Sequence, residues 1–109
     1  MRNDLFRKLA LELPEAVEKS HLGKADFRMK NKIFATLLDA DTGVVKLLPE
    51  QQAMMIAGEP KIFSAIKGGW GNQGWTRVDL NLADSVTLQS ALRAAWRNVA
   101  PKKMLSLLD

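Results

Sequence analysis

A chain of 109 residues and 12.1 kDa is enough for one domain and too little for two. With no cysteine, disulfides, thiolate catalysis, zinc–thiolate sites and iron–sulfur clusters are excluded, and no apolar run approaches the roughly 20 residues of a membrane span. Sixteen Lys and Arg stand against twelve Asp and Glu, a mildly basic balance of +4 at pH 7.

Met1 to Leu13 is amphipathic and carries acids, so it reads as a helix rather than a signal peptide. Asn3 or Asp4 can cap it, Leu5, Phe6, Leu9, Ala10 and Leu13 recur at helical spacing, and Pro14 stops it. Residues 16–20 are extended and polar, and a turn at His21–Gly23 leads into a strand over Asp26–Lys30. There Phe27 and Met29 alternate with charged neighbours. A turn at Asn31–Lys32 precedes the apolar strand Ile33–Leu38, and a turn at Asp39–Gly43 leads to Val44–Leu48. Connections this short imply an antiparallel meander.

Pro49 opens a short helix that Gly58 closes. Ile62–Ile66 is a strand or short helix, and Gly68–Gly74 is a loop. The strand Trp75–Leu82 places Val78, Leu80 and Leu82 on one side and Trp75, Arg77 and Asp79 on the other. Asp84 or Ser85 caps the last long helix, whose buried stripe is Leu88, Leu92, Ala95, Trp96 and Val99. Pro101 ends it, and Lys102–Leu108 adds a turn or two. The order α-β-β-β-β-α-β-β-α predicts an α+β fold. It is a single antiparallel twisted sheet of five or six strands, with the N- and C-terminal helices packed on one face.

Charge is segregated. Residues 19–32 carry a local +4, residues 61–77 +3 and residues 93–103 +4, which leaves −7 for the rest. Such polarity lets a modest net charge present a polyanion-binding face. The motifs for other chemistry fail on context. Gly69-Trp70-Gly71-Asn72-Gln73-Gly74 matches G-x-G-x-x-G, but a strand follows where a dinucleotide site needs a helix, so a flexible hairpin connection is the better reading. Asp39-Ala40-Asp41 echoes a calcium loop but has Val44 where the turn glycine belongs. His21 is the sole histidine, and no base–nucleophile pair or metal ligand set accompanies it; a surface or turn position is expected. Trp70 and Trp75 lie in the acid-free 61–77 window, and interleaved indoles and cations suit nucleic acid. Core filling and an exposed role stay open for Trp75, whereas Trp96 is core.

The runs Leu9–Glu15, Glu18–Lys24 with Phe27-Arg28, Lys32–Leu37, Leu48–Gln52, Gly74–Leu80 and Ala95–Lys103 resemble the MmcQ/YjbR family in order along nearly the whole chain. The resemblance implies a small bacterial domain of CyaY-like (frataxin-like) fold, proposed to bind DNA through a double-wing arrangement. Frataxin-like iron binding needs an acidic ridge; here the first helix offers Asp4 and Glu12 against Arg7 and Lys8. The expectation is therefore a cytoplasmic, monomeric, non-enzymatic DNA-binding domain over residues 1–109, with no cofactor, metal or membrane contact. Lys24, Arg28, Lys30, Lys32, Lys67 and Arg77 would contact phosphates from the open sheet face and its hairpin loops, with Trp75 stacking or wedging. Arg28, Lys30 and Arg77 are expected to share one patch, and Arg93, Arg97, Lys102 and Lys103 form a second basic patch. The alternative is an interaction module that docks an acidic protein partner.

Overall fold

The computed structural model describes residues 2–108. In chain order the elements are α1 (Arg2–Leu11), β1 (Val17–His21), β2 (Lys24–Met29), β3 (Lys32–Asp39), β4 (Thr42–Lys46), α2 (Pro49–Gly58), β5 (Phe63–Ala65), α3 (Gly69–Asn72), β6 (Trp75–Asp79) and α4 (Ser85–Val99). A 3-10 helix, Lys102–Leu108, follows. The six strands form one open antiparallel sheet in the order β1-β2-β3-β4-β6-β5. This is the expected α+β architecture with both terminal helices on one face.

That face buries the core. Phe27 and Met29 of β2, Val45 of β4 and Val78 of β6 meet Phe6 of α1 and Leu88, Leu92 and Trp96 of α4, all but completely removed from water. Each large side chain so buried contributes roughly 1.5–3 kcal/mol. Phe6 packs edge-on to Phe27 at 6.0 Å, and it lies so close to Gly43 that a Cβ there would sit 2.6 Å from its ring. The Trp96 indole donates to the Pro14 carbonyl at 2.9 Å, tying α4 to the turn that ends α1. Leu5 and Leu9 are half-buried against this core rather than fully inside it. Asp84 caps α4 by accepting from the Thr87 amide at 2.7 Å.

Four local differences from the sequence reading have physical causes. The β2–β3 turn is Lys30–Asn31, with φ of 51° and 66°, the paired left-handed values of a tight hairpin, so β2 ends at Met29 and Lys30 leaves the strand. Likewise, Leu22–Gly23 form the β1–β2 turn (φ 52° and 77°), which places His21 inside β1. β6 ends at Asp79, because the Asp79 carbonyl accepts from the Leu82 and Ala83 amides and turns the chain; Leu82 is exposed rather than core. Finally, Gly68–Gly74 is a packed helical turn and not a flexible connection. A Cβ on Gly71 would fall on the Ile66 carbonyl, and one on Gly74 (φ +106°) on the Leu47 carbonyl.

Two bulges shape β3. Ala35 pairs with Phe27 and Ile33 with Arg28, which leaves Phe34 as an extra residue; Leu38 is skipped in the same way against β4. Phe34 and Ala35 therefore both reach the core, while Ile33, Thr36 and Leu38 all turn to the opposite face.

Candidate functional site

Strand alternation sorts the side chains of the face that the helices leave uncovered. β1 contributes Lys19 and His21, β2 contributes Lys24, Asp26 and Arg28, and β3 contributes Ile33, Thr36 and Leu38. Val44 and Lys46 of β4 and Trp75, Arg77 and Asp79 of β6 continue it. At its centre lies a groove of about 370 Å³. Its floor is Ile33, Thr36, Leu38 and Val44; Ile66, Trp70 and Trp75 line one side, and His21 completes it. Val44 is buried yet stands apart from the helix-side core, which marks this as a second, smaller apolar site.

The tryptophan wall is held from behind. Gly74 packs on Leu47, whose amide donates to the Gly74 carbonyl at 3.0 Å. The Gln52 amide group of α2 donates to the Trp75 carbonyl at 3.1 Å and to Thr76 Oγ1 at 3.0 Å, and the Thr76 hydroxyl donates to the Gly74 carbonyl at 2.8 Å. Trp70 of α3 meets Trp75 edge-on, with centroids 5.9 Å apart and planes at 70°. Lys46 Nζ lies 5.3 Å from the Trp75 ring centre while donating to the Gln73 carbonyl at 2.8 Å. Trp75 is thus half-buried beside its basic neighbours, and Trp70 is 62% exposed.

A polar cluster sits at the His21 side. Asp26 is fully buried, and its carboxylate accepts from Arg28 Nε at 2.8 Å and Nη2 at 3.1 Å; His21 Nδ1 lies 2.6 Å from Oδ2. The Arg28 hydrogen bonds hold the Asp26 carboxyl below the usual carboxylate range; burial opposes them, and the His21 contact assists. Arg28 also donates to the Asn31 side chain at 3.2 Å. Its charge is committed inside the fold.

The remaining cations divide between the two faces. Lys24 Nζ reaches the Leu38 carbonyl at 2.7 Å, at the rim of the groove. Lys67 follows Ile66, and exposed Arg77 lies beside Val44 in the β4–β6 register. No ion pair among the described residues engages Lys19, Lys24, Lys46, Lys67 or Arg77. The expected patch of Arg28, Lys30 and Arg77 is not assembled. Lys30 sits in its turn, 3.4 Å from Glu15, and Lys32 opposes core-facing Met29 in register, off this face. Arg93, Arg97, Lys102 and Lys103 lie exposed on α4 and the terminal 3-10 helix, in the helical layer. Sequence reasoning left out Lys46, Lys19 and His21. The local charge excess around residue 19 was a usable signal for Lys19 alone.

Among the described residues no three His or carboxylate side chains gather as a metal site, and no helix is long and apolar enough to cross a membrane. The profile of the YjbR family matches residues 11–98. Protein DR2400 of Deinococcus radiodurans, whose crystal structure is described by the family domain DUF419, is similar in fold, with a TM-score of 0.72 at 19% identity over 89% of this chain and 77% of that one. No curated protein matches the chain. The profile runs from the end of α1 to the last turn of α4, across every strand and the groove, and the chain belongs to the YjbR family.

Proposed function

We propose that the protein binds nucleic acid, as a binding domain rather than an enzyme, through the uncovered face of its sheet. The observation that carries this is the setting of the two tryptophans: an indole pair beside an apolar groove, with Lys24, Lys46, Lys67 and Arg77 around it, none of them in an ion pair among the described residues. Cations neutralise phosphates and release counterions, while indoles offer stacking surface to bases. The β1–β2 hairpin and the 66–70 segment flank the groove and serve as its two wings. An acidic protein surface would meet the same cations and could bury the indoles, but it need neither quench their fluorescence nor bind with so steep a salt dependence. Catalysis gains no support, because among the described residues no hydrogen bond joins the Asp26-bound His21 to Thr36, the hydroxyl that shares its groove.

The test is a titration with single-stranded and duplex oligonucleotides at two salt concentrations. Binding that weakens steeply with salt and quenches tryptophan fluorescence is expected. Absence of binding to either at low salt overturns the proposal.

A further inference from the structure

The groove has chemistry at three points, and together they specify more than a polyanion. Its middle is apolar, with Ile33, Leu38 and Val44 beneath and an indole pair at the side. Cations stand on both flanks, Lys24 on the His21 side and Lys46 beside Trp75. An occupant must be apolar at its centre and anionic at both ends. A fatty acid carries charge at one end only, and a duplex offers backbone and base edges but no base face. A nucleotide inside a single strand has a planar ring between two phosphates.

His21 adds a polar contact. Asp26 is ionised and acceptor-only, so the bond between them requires the proton on Nδ1. Nε2 is then the ring's outward polar atom, at the edge of a groove that His21 lines. The Watson–Crick edges of bases carry both donors and acceptors that can meet it. Because Arg28 and Asp26 are locked together beneath it, the imidazole is held in place before any ligand arrives.

We infer that the groove is a site for one unpaired nucleobase, stacked against the Trp70–Trp75 pair with its Watson–Crick edge toward His21 and its flanking phosphates on the rim lysines. This rests on the nucleic-acid reading above and narrows it to a single-stranded or locally unpaired target. The volume of about 370 Å³ is at the lower end of ligand sites and suits one ring system.

The experiment compares three probes at one ionic strength: a single strand of about 12 nucleotides, an abasic strand of equal length and charge, and the corresponding duplex. The single strand should bind roughly ten-fold or more tightly than the abasic strand and quench tryptophan fluorescence more. Trp70→Ala, at an exposed position, and His21→Ala should narrow that gap, weakening the single strand several-fold more than the abasic strand. The wild-type comparison stands even if a variant fails to fold. Equal, salt-sensitive binding of the single and abasic strands overturns the inference while leaving nucleic-acid binding intact, and so does tighter binding of the duplex. Failure of all three probes to bind overturns both.

Discussion

Asp26 and Arg28, two positions apart on one face of β2, close a two-point ion pair in which Nε lies 2.8 Å from Oδ1 and Nη2 3.1 Å from Oδ2. A cation placed by alternation on the uncovered face is thereby neutralised within the protein. Asp26→Asn should separate the two roles of the pair. Loss of the buried carboxylate should lower stability by about 1–3 kcal/mol, less than for a wholly buried pair because Arg28 keeps some exposure. The released guanidinium should strengthen oligonucleotide binding and steepen its salt dependence by about one unit. Urea unfolding and a salt series on the same variant check both.

Acid should destabilise the protein through this carboxyl. The folded pKa of Asp26 lies below its usual value, chiefly because Arg28 donates to it. Its contribution is therefore fully present above the unfolded pKa, about 4, and is lost as pH falls through the lower folded value. Asp39 and Asp84 shift the same way, held first by the backbone amides of Asp41 and Thr87. Urea midpoints should fall as pH drops below about 4, and Asp26→Asn should show a shallower fall. An equal slope in the variant would assign the effect to the other carboxyls.

Gly74 sets the position of the tryptophan wall. At φ +106°, with the Leu47 carbonyl where a Cβ would stand, Gly74→Ala should cost at least about 2 kcal/mol. The Leu47–Gly74 bond and the Trp75 indole should shift together, so altered tryptophan emission should accompany the lower unfolding midpoint.

Much of this was legible in the chain. The alternation of Phe27 and Met29 and the helical spacing of Leu88, Leu92 and Trp96 each describe one buried face, and both proved to be core. The groove was not legible, because it depends on a bulge. The extra residue Phe34 shifts the β3 register without a sequence marker, and only then does Ile33 join Thr36 and Leu38 on one face. Lys30 misled for a related reason. It continues the alternation of Asp26 and Arg28, yet its left-handed backbone belongs to the turn. The His21–Asp26 contact needed the β1–β2 register, in which a hairpin turn at Leu22–Gly23 leaves His21 inside the strand. The glycines of 68–74 look like loop residues until their close approaches to Ile66 and Leu47 are seen.

The most direct test sets two charge-removal variants side by side in a salt titration of one single-stranded oligonucleotide. One carries Lys24→Ala, Lys67→Ala and Arg77→Ala on the sheet face; the other carries Arg93→Ala, Lys102→Ala and Lys103→Ala in the helical layer. Each lost phosphate contact lowers the slope of log affinity against log salt by roughly 0.7 for a single strand. The sheet-face variant should therefore bind weakly, with its slope flattened by about two units, while the helical-layer variant retains the wild-type slope. A flattened slope in the helical-layer variant, with the sheet-face variant binding as the wild type does, would contradict the account.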